Sequence, residues 1–266
     1  MVTKEICPQC SCKKTYKIRR GKLRCKSCKY EWVSGRLPLY LNRKEWTKLL
    51  RWFLHGISGK EISNETGISR QRVLRALLIV REAMSKDIPD VFSGTVEIDE
   101  TYIGGRWKNK RRSYRETRVK RGRGTLKTPV FGILCRDGKV WAEIVPDVEA
   151  KTLMPLIHKR VKQGSIICSD TWKSYTGIAA RGYIHRLVNH NKGEYSKGGN
   201  HINTLEGFWG YLKRRLSAKG GIRKERLPLY LSEYVWRYNN RKLSNKQELD
   251  KLLKLLYNYK HIKFSG

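Results

Sequence analysis

The sequence predicts an α/β protein in which a mixed β-sheet with flanking helices follows two small N-terminal modules. Three observations support this prediction. Two Cys-x2-Cys pairs stand near the N-terminus, and apolar residues at helical spacing follow them. The rest of the chain alternates strand-like and helix-like segments, which is the pattern of a sheet with helices packed against it.

The chain carries a large excess of positive charge. Its 266 residues include 58 Lys or Arg against 23 Asp or Glu, which gives a formal net charge of +35. Such an excess predicts binding to a polyanion, with nucleic acid as the first candidate. No apolar run approaches the roughly 20 residues that span a bilayer, and the N-terminus lacks the apolar core of a signal peptide. We therefore expect no membrane partner and a cytoplasmic, nucleoid-associated protein.

The first module, residues 1–35, is defined by four cysteines: Cys7, Cys10, Cys25 and Cys28. Their spacing is that of a tetrahedral site for structural Zn²⁺, which we expect here instead of disulfides. Cys12 is an additional thiol that could compete with Cys10. Residues 13–29 hold nine Lys or Arg and no acid, which favours contact with a phosphate backbone. A zinc module that makes no DNA contact is the alternative.

The second module, residues 40–88, has the pattern of a helix-turn-helix. Apolar residues recur at helical spacing from Trp46, and Gly67-Ile68-Ser69 turns the chain between two further helices. The start of the second of these helices is the part that meets base edges in such modules. The candidate DNA-binding residues there are Arg70, Gln71, Arg72 and Arg75. A helical hairpin with a merely solvated basic face is the alternative.

The third region, residues 92–242, carries the predicted sheet, and residues 243–266 form a C-terminal helical tail. The predicted elements are a strand over Thr95–Ile103, a hairpin of Pro129–Cys135 and Lys139–Val145, a helix over Glu149–Lys162, strands over Ser165–Asp170 and His185–His190, and helices from Ile202 and Pro228. Their order predicts a mixed sheet with helices packed on it.

A basic tract follows the first of these strands. Residues 106–127 hold eleven Lys or Arg and one Glu. We expect this tract to form a loop that contacts the DNA backbone, with Arg111 and Arg112 among the contacts.

Three carboxylates occupy suggestive places in these elements. Asp99 lies in the first strand, Asp170 ends a later one, and Glu206 lies in the helix from Ile202. Carboxylate oxygens are the ligands that Mg²⁺ prefers, and two divalent ions about 3.5–4 Å apart can support phosphodiester cleavage. The set therefore predicts two Mg²⁺ or Mn²⁺ ions beside a polyanion. Glu97 shares the strand face of Asp99 and is an alternative ligand, whereas Glu100 faces the other side.

The helix from Ile202 adds a geometric argument. Its apolar stripe consists of Leu205, Trp209, Leu212 and Leu216. Glu206 and Lys213 lie beside this stripe, seven residues apart, so a carboxylate and an ammonium group occupy one side of the helix two turns apart. We expect Glu206 to bind metal and Lys213 to bind phosphate. An exposed, solvated Glu and Lys are the alternative.

Three segments resemble the signature blocks of bacterial insertion-sequence transposases of the Asp-Asp-Glu type. They are Glu97 to Gly105, Ser169 to Tyr175, and His201 to Trp209 followed by Lys213. The resemblance covers nearly the whole chain. It implies a zinc ribbon, a helix-turn-helix and a ribonuclease-H-like catalytic domain. It also selects Asp99 over Glu97 as the first ligand, beside Asp170 and Glu206.

The resemblance leaves secondary candidates. Some relatives place Asn or His where this chain has Glu206, so Asn203 and His201 are second-choice ligands. Side chains expected to pack or to position DNA, and not to bind metal, are Trp172, Lys173, Tyr175, His185 and His190.

We therefore expect a DNA transposase that binds the ends of its element, cleaves a phosphodiester bond and joins the released 3′-hydroxyl to target DNA. Its partners would be terminal inverted repeats and target DNA, and the joining of two ends implies at least a homodimer. Two alternatives stay open. One is a catalytically inactive DNA-binding regulator derived from a transposase, and the other is a ribonuclease-H-like junction nuclease.

Overall fold

The computed structural model describes residues 7, 10, 12–19, 22–33, 37–105, 127–170, 175, 177–188, 202–257 and 259, with the backbone alone at 32 and 33. The chain divides into two units. One comprises Met1–Ala83 with Leu243–Gly266, and the other comprises Met84–Lys242. None of the helices in the described residues has the length and apolar character that a bilayer crossing requires.

The chain begins with a small antiparallel sheet of three strands. These are β1 (Thr15–Lys17), β2 (Lys22–Cys25) and β3 (Glu31–Val33), paired in the order β1-β2-β3. Arg24 and Lys22 on β2 form ion pairs with Glu31 on β3. A sheet of this size buries few apolar side chains, Leu23 being one, so further stabilisation is expected from the cysteines around it.

Three helices follow: α1 (Arg43–Leu54), α2 (Gly59–Thr66) and α3 (Arg70–Ser85). Capping boxes define the starts of the first two, with Asn42 and Glu45 before α1 and Ser58 and Glu61 before α2. Gly67 ends α2 with φ of 71°, a left-handed conformation that glycine adopts at little cost. The three-residue turn between α2 and α3 agrees with the predicted turn.

The second unit contains a five-stranded mixed sheet, which confirms the predicted fold class. Its strands are β4 (Thr95–Ile103), β5 (Thr128–Cys135), β6 (Val140–Ile144), β7 (Ile166–Ser169) and β8 (Ile184–Leu187), in the order β6-β5-β4-β7-β8. Strands β4, β5 and β6 pair antiparallel, whereas β7 pairs parallel to both β4 and β8.

Helices cover both faces of this sheet. Helix α4 (Ala150–Arg160) packs on one face with Ile98 and Ile133, and helices α5 (Asn203–Ser217) and α6 (Leu227–Asn239) pack on the other with Val130 and Leu134. Successive side chains of a strand point to opposite faces. Because Val96 and Ile98 face α4, the odd-numbered residues of β4 face α5.

Some predicted boundaries differ from those observed. The helix predicted over Glu149–Lys162 ends at Arg160, because Val161 has an extended backbone and forms a bridge with Phe92. Glu149 precedes its first turn. The strand predicted from His185 runs over Ile184–Leu187, in parallel register with β7.

The last helix, α7 (Asn245–Tyr257), belongs to the first unit. It packs against α1 and buries four leucines: Leu249, Leu252, Leu253 and Leu256. Beyond it, the hydroxyl of Tyr259 donates a hydrogen bond to Glu82 on α3. The C-terminal segment therefore contributes to the core of the N-terminal helices.

Candidate active site

Asp99 lies in β4 on the sheet face that carries α5. Its partner across the antiparallel pair is Gly132 of β5. A Cβ added at Gly132 would lie 2.5 Å from Cη2 of Trp209, so the indole ring of α5 occupies the space above this glycine. From there the indole Nε1 donates a hydrogen bond to Oδ2 of Asp99 at 3.0 Å. The missing side chain at 132 thus admits the ring that holds the carboxylate.

The surroundings of Asp99 disfavour its negative charge. Burial, and then the negative charges of Glu100 and Asp170, raise its pKa to about 7, against the opposing effect of hydrogen bonds from the backbone and from Trp209. A divalent cation would favour the ionised carboxylate and relieve this crowding. The donor set and its electrostatics therefore suit a hard cation such as Mg²⁺.

Asp170 follows the last residue of β7, the parallel neighbour of β4. The register pairs Thr95 with Ile166 and Glu97 with Cys168. Asp99 and Asp170 each lie two residues beyond the last of these pairs, Glu97 and Cys168. The negative charge of Asp170 therefore raises the pKa of Asp99. The sheet therefore brings these two carboxylates together on one face.

Glu206 lies in the first turn of α5, on an exposed side of the helix. The predicted apolar stripe of this helix, Leu205, Trp209, Leu212 and Leu216, is buried. Among the residues that the structure describes, the cysteines alone form a group of three or more ligands spaced for a metal ion. Glu206 therefore does not close a metal-binding cluster with Asp99 and Asp170 in this conformation.

Glu97, the alternative ligand, has a different environment. Its side chain is fully buried, and its Oε2 accepts a hydrogen bond from the backbone N–H of Leu205 at 2.9 Å. Its Oε1 lies 3.9 Å from Nε of Arg136. These contacts direct Glu97 towards the start of α5, which favours Asp99 as the ligand.

Lys213 is exposed on α5, one turn beyond Trp209. Partial desolvation and the positive charge of Lys127 lower its pKa, whereas the charge of Asp99 raises it. The ammonium group is thus close enough to Asp99 and Lys127 to interact with both. A cation in this place can bind a phosphate at the acidic site.

Further predicted residues lie around this set. The buried Tyr175 donates its hydroxyl to Oε2 of Glu100 at 2.7 Å, on the face opposite to Asp99. His185 Nε2 and Ser169 Oγ form a 2.8 Å hydrogen bond beside Asp170. Asn203 begins α5 and is exposed. The predicted residues that lie outside the described ones are Arg111, Arg112, Trp172, Lys173, His190 and His201.

The four predicted zinc ligands come together. The Sγ atoms of Cys7, Cys10, Cys25 and Cys28 all lie within 4.8 Å of one another. The pairs Cys7–Cys28 and Cys10–Cys25 are each 3.5 Å apart, close to the ~3.8 Å that a tetrahedral zinc with Zn–S bonds of about 2.3 Å requires. Cys12 is not part of this group, and its Sγ accepts a hydrogen bond from the backbone N–H of Lys14. The donor set therefore fits Zn²⁺.

The residues that we predict to contact DNA lie at the start of α3. Arg70, Gln71, Arg72 and Arg75 are all exposed. Arg72, however, donates from Nη2 to the backbone carbonyl of Leu39 at 2.8 Å. This contact holds the Arg72 side chain against an earlier segment of its own chain.

Comparison with known proteins identifies the family of this chain. The sequence profile of the ISXO2-like transposase domain matches residues 91–239, which include the whole five-stranded sheet. The chain belongs to this transposase family. The profile covers Asp99, Asp170, Glu206 and Lys213, and it ends at the last residue of α6.

Two relatives carry related descriptions. An "uncharacterized transposase-like protein" of Haemophilus influenzae is 36% identical over 115 residues, which are 43% of this chain and 93% of the relative. An "uncharacterized protein in transposable element ISH50" of Halobacterium salinarum is 26% identical over 269 aligned residues, covering 93% of this chain and 90% of the relative. The second relative thus resembles almost the whole chain.

Two solved structures show weaker similarity. The catalytic core domain of BIV integrase is 16% identical with a TM-score of 0.37, over 57% of this chain and 87% of that one. The Mos1 transposase paired-end complex is 13% identical with a TM-score of 0.28, over 87% and 83%.

The sequence did not reveal what Gly132 and Trp209 do. Trp209 looks like one member of an apolar stripe, and nothing in that pattern distinguishes it from Leu205 or Leu212. Gly132 could have indicated such a contact, because a glycine inside a strand often marks the close approach of another group. Here that group is the indole that contacts Asp99.

Proposed function

We propose that the protein is a DNA transposase that cleaves phosphodiester bonds at the ends of its element and joins the 3′-hydroxyl ends to target DNA. The observation that supports the proposal is the parallel pairing of β4 with β7, whose register continues to Asp99 and Asp170, and the effect of the Asp170 charge on the pKa of Asp99. The same helix bears Glu206 and Lys213. Membership of a transposase family supports this reaction class.

Each residue has a part in this proposal. Asp99, Asp170 and Glu206 would hold two Mg²⁺ or Mn²⁺ ions, which when bound stabilise charge on the attacking and leaving oxygens. Trp209 orients Asp99 through its indole N–H. Lys213 binds a phosphate oxygen and counters negative charge near the carboxylates. The exposure of Glu206 and Lys213 leaves this side of the helix accessible to DNA.

The N-terminal modules would supply recognition of the element ends. The zinc ribbon holds a basic segment, and the exposed start of α3 presents Arg70, Gln71 and Arg75 to a groove. The basic tract over residues 106–127 adds charge for the DNA backbone. Joining two ends requires that at least two copies of the chain assemble on DNA.

The direct experiment uses a plasmid that carries the DNA segments flanking the coding sequence on both sides. Asp99→Ala, Asp170→Ala and Glu206→Ala should each abolish Mg²⁺-dependent cleavage and joining, with binding to the ends retained. Glu143→Ala, which removes an exposed carboxylate from the edge strand β6, is the matched control and should keep activity. Full activity in one of the three variants would remove that residue from the site. A wild-type protein that binds the ends without cleaving them would show a regulator instead.

A further inference from the structure

Glu97 is a fully buried carboxylate in β4, two residues before Asp99 and on the same face of the sheet. Burial of a carboxylate costs several kcal/mol unless its oxygens find partners. The reaction proposed above assigns no role to Glu97. Its contacts therefore indicate why this position holds an acid.

The first contact is with the start of α5. This helix has no side-chain cap, because Ile202 at the capping position has no polar side chain. The backbone N–H of Leu205, in the first turn, donates to Glu97 instead. Glu97 thus supplies from a neighbouring strand the acceptor that a capping side chain normally provides. Its negative charge is also favourable at a helix N-terminus.

The second contact balances the charge. Arg136, in the turn between β5 and β6, places Nε 3.9 Å from Oε1 of Glu97. The same guanidinium donates from Nη2 to Sγ of Cys168 in β7 at 3.9 Å. Glu97, in β4, is therefore linked through Arg136, which follows β5, to Cys168 in β7.

A second bond between helix and strand follows one turn later. The backbone N–H of Leu205 donates a hydrogen bond to Glu97, and the indole N–H of Trp209 donates one to Asp99. Four residues of helix advance about 6 Å, and two residues of strand advance about 7 Å. The spacing of the two donors along the helix therefore matches the spacing of the two acceptors along the strand. Glu206 lies between the two attached residues, so its place along β4 depends on both bonds.

We propose that Glu97 is a positioning residue that fixes α5 on β4 and thereby sets where Glu206 stands relative to Asp99 and Asp170. The inference rests on the proposed function, because it concerns the same acidic site. Glu97 acts through the helix and does not itself bind the cation. Loss of its charge loosens the start of α5, so Glu206 meets the metal less often and a higher cation concentration is needed.

The test compares Glu97→Gln with Glu233→Gln in the full-length protein. Glu233 is a matched control, since it is 2% exposed, lies on α6 in the same unit and is paired with Arg237 at 3.0 Å. Glu97→Gln should raise the Mg²⁺ concentration for half-maximal DNA cleavage about 10-fold. Glu233→Gln should leave it unchanged despite a similar loss of thermal stability.

Two measurements separate positioning from ligation. Hydrogen exchange at the Leu205 amide should accelerate in Glu97→Gln and stay at the wild-type rate in Glu233→Gln. Mn²⁺ binding followed by electron paramagnetic resonance should show the wild-type number of ions in Glu97→Gln and fewer in Asp99→Ala. Should Glu97→Gln fail to fold, Glu97→Asp keeps the charge, shortens the reach and is measured in the same way.

The inference is overturned if Glu97→Gln loses ions as Asp99→Ala does, because Glu97 would then be a ligand. It is also overturned if Mg²⁺ dependence and Leu205 exchange stay unchanged, or if Glu233→Gln shifts Mg²⁺ dependence equally. A wild-type protein that neither binds Mn²⁺ nor cleaves DNA would refute the proposed function. Exchange at Leu205 would still decide whether Glu97 anchors the helix.

Discussion

Trp209 donates its indole N–H to the carboxylate of Asp99 across 3.0 Å. Its ring lies over Gly132, the residue paired with Asp99 in the neighbouring strand. Strand, helix and glycine thus form one packed arrangement around a carboxylate whose pKa is raised to about 7 by burial and by neighbouring acids. Changes at Trp209 or Gly132 should therefore affect the chemistry of Asp99 as well as stability.

Trp209→Phe should lower cleavage activity about 10-fold, because the ring remains while the hydrogen bond to Asp99 is lost. Without this bond, which favours the ionised carboxylate, the pKa of Asp99 rises further and cations bind less well. The free energy of unfolding should fall by about 1–3 kcal/mol. Cleavage rates and chemical denaturation measure the two effects.

Trp236→Phe is the control for this prediction. Trp236 is fully buried in α6, and its Nε1 donates to Oδ2 of Asp87 at 2.7 Å. Loss of this hydrogen bond should lower the free energy of unfolding by about as much as Trp209→Phe does, with no change in the cleavage rate. Equal activity losses in the two variants would show that Trp209 acts through stability alone.

Gly132→Ala should destabilise the protein by about 1–3 kcal/mol, because the new methyl group would overlap a rigid ring. The added Cβ would lie 2.5 and 2.6 Å from two atoms of Trp209, which must move away from Asp99. Gly207→Ala offers the opposite case, since a Cβ there meets nothing within 4 Å. That variant should gain about 0.5–1 kcal/mol from helix propensity. A tolerated Gly132→Ala with full activity would contradict the packing described above.

The sequence predicted those parts of the fold that depend on local patterns. Strand β4 was predicted with its observed bounds, Thr95–Ile103, because its residues have strong β-propensity and end at glycines. The hairpin of β5 and β6 followed from Arg136-Asp137-Gly138, in which Gly138 has φ of 92°. Both signals lie within a few residues of the structure that they predict.

Contacts between distant segments were not predictable in this way. Leu205 and Glu97 are 108 residues apart, and alternation along β4 could place Glu97 and Asp99 on one face without telling which is buried. Likewise, the leucines of α7 predict an amphipathic helix but do not name α1 as its partner. Such pairings depend on the whole tertiary structure.

Leu252→Ala should destabilise the N-terminal helices, although it lies near the C-terminus. Leu252 is fully buried in α7, which packs against α1, and a leucine-to-alanine change at such a position costs about 2–5 kcal/mol. Binding to the element ends should weaken as α1 loses support. The exposed neighbour Lys254 provides the control, and Lys254→Ala should match the wild type in thermal unfolding. Unfolding that is identical in both variants would argue against the packing of α7.

Cys25→Ser should remove zinc and unfold residues 1–35, because a small module of this kind depends on its metal for folding. Elemental analysis should find about one zinc per wild-type chain and little in the variant, and end binding should weaken. Cys12→Ser is the control, since Cys12 is not among the four clustered thiols. Unchanged zinc content in Cys25→Ser would refute the assignment.

The most direct test of the central claim is a crystal structure with Mn²⁺ and DNA carrying a terminal repeat, examined for anomalous scattering from manganese. We predict two manganese peaks, one contacting Asp99 and Asp170 and the other contacting Asp99 and Glu206. Manganese bound elsewhere, or a Glu206 carboxylate beyond ligand distance with DNA in place, would contradict the proposed catalytic site.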